Sequence, residues 1–294
     1  MKMIPIAIYQ YPDALKSAIY GLEEMFRMAN LICEKQQIEA RFEPVIIDST
    51  NQDKHNWTVI ILPPCGQSDY YQAPQPELID WLQQQHARGA IIASACAGAF
   101  ILAATGLLNN RAATTHWSFA EVFRQQYPDI TLDTHKILID HSDVITAGGM
   151  MSWLDLGFQI VSKYSSLVVM RQLGKALVID TAPREQRFYQ QFNPSFNHGD
   201  QIIVSIQQSM NTNHHKPLAI QDLAEHFNLT ERTMQRRFLK ATGLNPNQYL
   251  QKLRIQKACD LLEGSKYSFE RIANQVGYEN AQGESVNARF SLSA

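Results

Sequence analysis

Length, composition and charge predict a soluble globular chain of two domains and exclude several other classes. The 294 residues are 45% hydrophobic and 18% charged, which suffices for a sizeable core. No stretch approaches the ~20 apolar residues of a membrane span, and the N-terminus lacks the apolar run of a signal peptide, which predicts a cytoplasmic protein without a membrane partner. The four cysteines are scattered without ligand-like spacing, so we predict no disulfide framework, no metal and no cofactor.

The net charge of −2 is divided unevenly along the chain. From Thr212 onward there are 11 basic and 8 acidic residues, whereas the preceding part has 15 basic and 20 acidic residues. This asymmetry indicates that the C-terminal part is the one that meets a polyanion. The excess is small, and it identifies no function by itself.

The first ~175 residues alternate short apolar runs with amphipathic helical patterns. Strands are predicted at Ile4–Tyr9, Phe42–Ile47, Thr58–Leu62, Ala90–Ser94, Ile137–Asp140 and Val144–Ala147. Helices are predicted at Ala14–Ala29, Pro76–Arg88, Ala97–Thr105, Trp117–Gln126 and Met150–Leu173. Continuous apolar strands that alternate with helices predict a parallel sheet covered on both faces.

The periodicity breaks down between Thr181 and Asp200, a stretch with two prolines, two asparagines and a glycine. We therefore predict an N-terminal domain over residues 1–180. A linker with a linking helix is predicted over 181–212, and an all-helical domain over 213–294.

The helical region contains an internal repeat of ten residues. The segment Ile220–Leu229 recurs 49 positions later as Phe269–Tyr278. In each copy, apolar residues three and four apart precede Asn228 or Gly277, which tolerate a left-handed backbone, and then another apolar residue follows. This order is typical of a helix joined to a second helix by a tight turn, so we predict two helix-turn-helix units.

The second helix of the first unit is the candidate DNA-reading element. Thr230 is its predicted N-cap, and Met234 and Phe238 are predicted to face the core. The opposite face carries Glu231, Arg232, Gln235 and Arg236. Arginine and glutamine make bidentate contacts with guanine and adenine edges in the major groove. A solvated basic face would explain one such helix equally well, but two similar units favour binding to two successive groove segments.

A long connecting helix is predicted between the two units. It begins at Asn245 and Pro246, an N-cap followed by proline at the first helical position, and it ends at Gly264. Lys252 and Arg254 on this helix are candidates for contacts with DNA phosphates. A solvated helix face explains these two residues equally well.

The segment from Pro217 to Asn280 resembles the DNA-binding domain of AraC/XylS-type regulators. The resemblance includes the spacing of Phe238, Gly243, Pro246 and Tyr249. It implies a double helix-turn-helix domain whose recognition helices read successive major grooves of double-stranded DNA. The positions that match base-contacting residues of that family are Arg232, Gln235 and Arg236.

The second unit departs from the family pattern after Tyr278. Asn287 stands where the register of Phe238 predicts an aromatic residue, and Phe290 restores the match only if three residues near 283–285 are extra. The second G-x-x-P turn is also missing. We therefore expect an atypical, truncated second unit in which residues 280–294 are loosely folded.

Cys96 lies between an apolar strand and an apolar helix, in the strand–turn–helix order of a nucleophile elbow. At a helix N-terminus, the backbone amides would favour a thiolate. His116, twenty residues further on, is the candidate partner base. A structural interpretation is also open, in which Cys96 is a small apolar residue in a tight junction and His116 is a structural polar group.

Three segments resemble the PfpI-type, class I glutamine amidotransferase-like domain, which one group of regulators joins to an AraC-type domain. They are Gly21–Asn30, Ser94–Trp117 and Ile145–Val161. The resemblance implies a flavodoxin-like α/β sandwich, a homodimer, and a pocket at the carboxyl ends of the strands. Enzymes of that superfamily pair the cysteine with an acidic residue on the first helix, where this chain has Ala18.

The missing acid favours a sensory pocket for a small molecule over a catalytic site. The predicted pocket residues are Cys96, Ala97, Gly98 and His116. The leading hypothesis is thus a one-component transcription regulator with an unidentified effector and no enzymatic activity. The rival hypothesis is a cysteine hydrolase whose C-terminal helices only dock partners, and the paired units disfavour a pure scaffold.

Overall fold

A computed structural model describes residues 2–50, 56–66, 69–182, 185–186, 192 and 194–278. Internal contacts divide the chain into two units, residues 1–187 and 188–294. Each unit has its own hydrophobic core.

The first unit is built on a six-stranded sheet in the order β2-β1-β3-β4-β8-β7. The strands are β1 (Lys2–Tyr9), β2 (Ala40–Ile47), β3 (Val59–Leu62), β4 (Ile91–Ala95), β7 (Leu138–Asp140) and β8 (Val144–Ala147). All neighbours pair in parallel except β7, which is antiparallel to β8. The six predicted strands are confirmed. A separate pair, β5 (Ala112–Ala113) with β6 (Thr131–Leu132), was missed because two residues are too few to form a pattern.

Helices flank this sheet and complete the flavodoxin-like sandwich. They are α1 (Lys16–Lys35), α2 (Pro76–Ala87), α3 (Gly98–Ala104), α4 (Ala120–Gln126), α5 (Trp153–Tyr164) and α6 (Leu167–Leu177). The single helix predicted over Met150–Leu173 is wrong, because the chain breaks between α5 and α6. Two serine hydroxyls cause the break: Ser165 donates to the carbonyl of Val161, and Ser166 accepts from the amide of Val169.

In its described residues the second unit has helices and no strands, as predicted. It contains α7 (Gln201–Asn213), α8 (Ile220–His226), α9 (Glu231–Thr242), α10 (Pro246–Gly264) and α11 (Phe269–Gln275). Ile203, Ile206 and Met210 of α7 are fully buried in the same core as the helix-turn-helix residues. The predicted linking helix is therefore a structural part of the helical unit.

The internal repeat is confirmed as far as Tyr278. Helices α8 and α11 each have seven residues, and Ala224 and Ala273 are buried at equivalent positions. Asn228 and Gly277 both adopt a positive φ, of 54° and 93°. The predicted second recognition helix, with Asn287 and Phe290, lies outside the described residues.

Two further properties concern the described residues as a whole. No helix among them combines the length and the apolar composition that crossing a bilayer requires. The same part of the chain contains no group of three or more His, Cys, Asp or Glu side chains that could hold a metal ion.

Candidate DNA interface and candidate ligand site

Helix α9 begins and ends as its sequence predicts. The Thr230 hydroxyl accepts a hydrogen bond from the Thr233 amide at 3.3 Å, which confirms the predicted N-cap. At the other end, Gly243 adopts a left-handed backbone with φ of 71°, where a side chain would be strained. The limits of the candidate reading helix are therefore set by local sequence.

The rotation of α9 is fixed by two fully buried side chains. Met234 and Phe238 have no exposed surface, and the Phe238 ring packs edge-on against Tyr249 of α10 at 5.2 Å. Side chains four residues apart share one face of a helix. Because Met234 and Phe238 bury that face, the opposite face of α9 points to solvent. The exposed residues there are Glu231, Arg232, Gln235 and Arg236. The predicted division into inner and outer faces is confirmed.

The outer face carries two features that the sequence interpretation left out. The Gln235 amide donates to the Glu231 carboxylate at 2.8 Å, which leaves the Gln235 carbonyl oxygen and one N–H for a base edge. Lys240 is also exposed, and it stands four residues beyond Arg236 on the same face. The i, i+4 spacing from Arg236 was the signal that could have identified Lys240.

Arg237 was not predicted as a functional residue, and it fixes α9 to α7. Its guanidinium donates two hydrogen bonds to the Asp200 carboxylate, at 2.7 and 2.9 Å. This pairing raises the pKa of Arg237 and lowers the pKa of Asp200. Asp200 also caps α7 by accepting from the Ile203 amide. The sequence indicated only that a helix starts near Asp200, because the partner is 37 residues away.

The two candidate phosphate ligands on α10 differ in their surroundings. Lys252 is exposed and free to reach a phosphate. The Arg254 guanidinium instead donates to the carbonyls of His214 and Lys216, at 2.7 and 2.9 Å, and burial lowers its pKa. It also lies over the ring of Tyr278. In this conformation Arg254 has a structural role, because two of its five N–H donors bind the carbonyls of the segment before α8.

The predicted strand–turn–helix elbow is present in the first unit. Cys96 follows β4 with a φ of 52°, a left-handed conformation that is strained for a residue with a side chain. Its amide donates to the Ala147 carbonyl at 2.8 Å, and its carbonyl accepts from the Thr115 hydroxyl at 2.8 Å. Neighbouring strands and loops thus hold the elbow from both sides.

The predicted pocket residues differ in exposure. Cys96 and Ala97 are fully buried, and Gly98 packs so closely that a Cβ atom there would lie 2.4 Å from the Leu62 carbonyl oxygen. Gly98 therefore permits the close approach of α3 to the end of β3. Of the four predicted residues, only His116 is partly exposed.

Of the two interpretations of Cys96, the thiolate is the one that its surroundings disfavour. Burial raises the pKa of the Cys96 thiol to about 12, although the Ala97 amide lowers it in part. Moving a thiolate out of water costs more free energy than its interaction with the amides of a short helix restores. The structural interpretation of Cys96 is the one that this environment supports.

We expect Cys96 to resist alkylation in the folded protein. With a pKa of about 12, about one thiol in ten thousand is ionised at pH 8. Labelling by iodoacetamide should therefore be at least about a hundredfold slower than in urea, measured by peptide mass spectrometry. Cys259, which is partly exposed, serves as the internal control. Rapid labelling of Cys96 in the folded chain would contradict this environment.

His116 is not paired with Cys96. Its Nδ1 atom lies 2.6 Å from the Ser118 hydroxyl and accepts from the Ser118 amide, and burial lowers its pKa. Among the described residues, no hydrogen bond joins the two predicted partners. Thr115, which precedes His116, links the two segments by donating its hydroxyl to the Cys96 carbonyl.

Aromatic side chains near the elbow were missed by the sequence interpretation. Tyr11 donates to the Pro63 carbonyl and stacks on Tyr70 with ring centroids 5.7 Å apart. Burial raises the pKa of Tyr11, and the neighbouring thiols of Cys65 and Cys96 contribute to the shift. Tyr11 lies two residues after the end of β1, so its place at the carboxyl end of a central strand was the available signal.

This geometry defines a class of protein: a helix-turn-helix unit with an exposed basic reading face, joined to a flavodoxin-like unit. Comparisons with known proteins agree. Residues 223–286 match the model of a helix-turn-helix domain, and residues 33–163 match that of the DJ-1/PfpI family.

Two curated relatives match along most of this chain. The HTH-type transcriptional regulator CdhR of Pseudomonas aeruginosa is 26% identical over 225 residues, which cover 76% of this chain and 67% of the relative. The HTH-type transcriptional regulator GlxA of Rhizobium meliloti is 25% identical over 197 residues, which cover 65% of this chain and 59% of the relative.

A solved THiJ/PfpI family protein from Pseudomonas syringae has the same fold, with a TM-score of 0.50 and 17% identity. The match covers 86% of this chain and 90% of that one. The chain therefore combines a DJ-1/PfpI domain with a helix-turn-helix domain, and it is similar along most of its length to HTH-type transcriptional regulators.

Proposed function

We propose that this protein is a sequence-specific DNA-binding transcription regulator that responds to a small molecule through its DJ-1/PfpI domain. The observation that carries the proposal is the outer face of α9. There, Arg232, Gln235 and Arg236 are exposed side by side on a capped helix whose rotation is fixed by buried Met234 and Phe238. These side chains have the donors and acceptors that read base edges in a major groove.

In this proposal each residue has a separate task. Arg236 and Gln235 contact bases, Glu231 orients the Gln235 amide, and Lys252 and Lys240 neutralise phosphates. Phosphate contacts add affinity for any sequence, whereas base contacts distinguish sequences.

The effector site is proposed at the carboxyl ends of the strands, beside the elbow and His116. Ligands of open α/β sheets bind at this end. Half-buried His116 supplies a neutral imidazole there, because burial lowers its pKa. The buried, protonated thiol of Cys96 supports a binding role over nucleophilic catalysis. The binding of an effector, the homodimer and the cytoplasmic location stay predictions.

The test begins with genome-wide mapping of the sites that the protein occupies, which yields operator sequences. On such an operator, Arg236→Ala should weaken binding by about 1–3 kcal/mol and relax the preference at one base position. Lys252→Ala is the matched control, because losing a phosphate contact should weaken all sequences alike and reduce the salt dependence. Fluorescence anisotropy at several salt concentrations measures both effects.

Two results would contradict the proposal. Unchanged operator affinity of Arg236→Ala would remove α9 from the groove. Measured turnover that depends on Cys96, without salt-dependent DNA binding, would favour the hydrolase hypothesis instead.

A further inference from the structure

A buried glutamine lies at the start of the segment that leads to the DNA-binding unit. Gln186 is only 2% exposed, although its surroundings in sequence were predicted to form a linker. Its amide nitrogen donates to the carbonyls of Thr115 and Thr134 at 3.0 and 3.1 Å, with a longer contact to the Lys136 carbonyl. Its amide oxygen accepts from the Trp117 backbone at 3.0 Å.

The groups that surround this amide, which we call the glutamine socket, leave room for a single side chain. The Gln186 backbone amide donates to the His135 carbonyl at 2.8 Å, and Glu185 pairs with Lys136 through an isolated β-bridge. Gly148 closes the socket: a Cβ atom there would lie 2.2 Å from the Gln186 amide nitrogen.

The chemistry of the socket selects a carboxamide. Carbonyl oxygens face one end of the side chain and a backbone N–H faces the other, so the occupant must donate and accept at once. A carboxylate of the same shape has no donor for the carbonyls. Leaving the Trp117 N–H or the carbonyls unpaired in a buried place would cost free energy. These hydrogen bonds therefore keep Gln186 in its socket.

The socket is connected to the candidate ligand site through adjacent residues. Thr115 binds Gln186 through its carbonyl and the Cys96 carbonyl through its hydroxyl. Trp117, which donates to Gln186, directly follows His116. The segment 114–117 is therefore shared by the elbow, the partly exposed histidine and the glutamine socket.

We propose that Gln186 is a latch that holds residues 185–186, at the end of the ligand-binding unit, on the 114–117 backbone until an effector contacts His116. Movement of the 115–117 backbone on effector binding withdraws the Trp117 N–H and the Thr115 carbonyl, and the glutamine leaves its socket. The effector needs unequal affinity for the latched and released states, and a contact made with His116 in only one of them supplies it. This regulatory role rests on the proposed function, whereas the latch itself does not.

The latch is tested first without DNA, by hydrogen exchange on the full chain. Gln186→Ala and Gln186→Glu should each speed exchange of the Trp117 amide by roughly tenfold or more, because its acceptor is lost or repelled. Gly148→Ala should do the same by expelling the glutamine. Gly149→Ala is the matched control, because no atom lies within 4 Å of a Cβ atom built there.

Two further variants keep the test decisive if Gly148→Ala disturbs folding. The double variant Gly148→Ala with Gln186→Ala should exchange about as fast as Gln186→Ala alone, since the two closest atoms belong to Gln186 and the remaining one, Thr114 Oγ1, lies 3.2 Å away. Thr115→Val removes the hydroxyl that binds the elbow but keeps the carbonyl that binds Gln186. It should speed exchange of the Gln186 amide by roughly threefold or more if the elbow supports the latch.

Unchanged Trp117 exchange in both Gln186 variants overturns the latch, and unchanged exchange in Thr115→Val overturns its connection to the elbow. The regulatory role is measured by transcription from a mapped operator. Gln186→Ala should alter the output at least about fivefold relative to the wild type and Gly149→Ala. Equal output of the three proteins overturns that role. Failure of the wild type to bind DNA would refute the proposed function, whereas the exchange data decide the latch separately.

Discussion

Replacing Phe238 with alanine is expected to destabilise the helical unit by about 3–5 kcal/mol, and operator binding should be lost. The side chain is fully buried, and its ring packs against Tyr249 where α9 meets α10. A cavity there removes the contact that fixes the rotation of the reading face. Since a domain of this size has about 5–15 kcal/mol of stability, such a loss is a large fraction of the total.

Leu239→Ala is the control for this prediction, because the neighbouring leucine is 52% exposed and should contribute little. All four tryptophans lie in the first unit, so fluorescence reports on that unit alone. Urea unfolding of Phe238→Ala should shift the transition seen by circular dichroism while the fluorescence transition stays in place. Equal effects of the two variants on DNA binding would mean that the Phe238 contact does not orient α9.

Replacing Gly98 with alanine is expected to destabilise the first unit and to leave the helical unit unaffected. The new Cβ atom would lie 2.4 Å from the Leu62 carbonyl oxygen and 2.9 Å from the Pro63 carbonyl oxygen. Main-chain atoms in a sheet cannot swing aside, so α3 must move away from the strands. Overpacking of this kind costs about 1–3 kcal/mol and occasionally more.

The fluorescence transition of Gly98→Ala should therefore shift to lower urea, whereas the intrinsic DNA affinity of the helical unit should persist. Gly66→Ala is the matched control, because no atom lies within 4 Å of a Cβ atom built there. An unchanged transition in Gly98→Ala would show that α3 is less closely packed than the distances indicate.

Local patterns predicted those parts of the structure that depend on residues near in sequence. The six sheet strands, the Thr230 cap and the inward position of Phe238 follow from periodicity and capping preferences. The ten-residue repeat, whose copies begin 49 positions apart, placed α8 and α11 correctly for the same reason. The break between α5 and α6 was missed because serine occurs inside helices as well as at their caps.

The remaining features depend on groups that only the fold brings together. The pKa of Cys96 is set by burial from all sides, which a strand–turn–helix pattern does not contain. Arg237 reads as one more basic residue until its pairing with Asp200 is seen. Gln186 lies in a stretch of linker-like composition, yet its partners are 50 to 71 residues away.

Arg254 has a consequence for how the helical unit meets curved or straight DNA. Its guanidinium binds the chain just before α8 and also packs within 3.0 Å of where a Cβ atom of Gly277 would be, at the turn after α11. One side chain thus fixes the entrance of the first helix-turn-helix relative to the turn of the second. We therefore expect the Arg254 contacts to resist a change in this separation, so that a mismatch with the groove spacing is met by bending of the DNA.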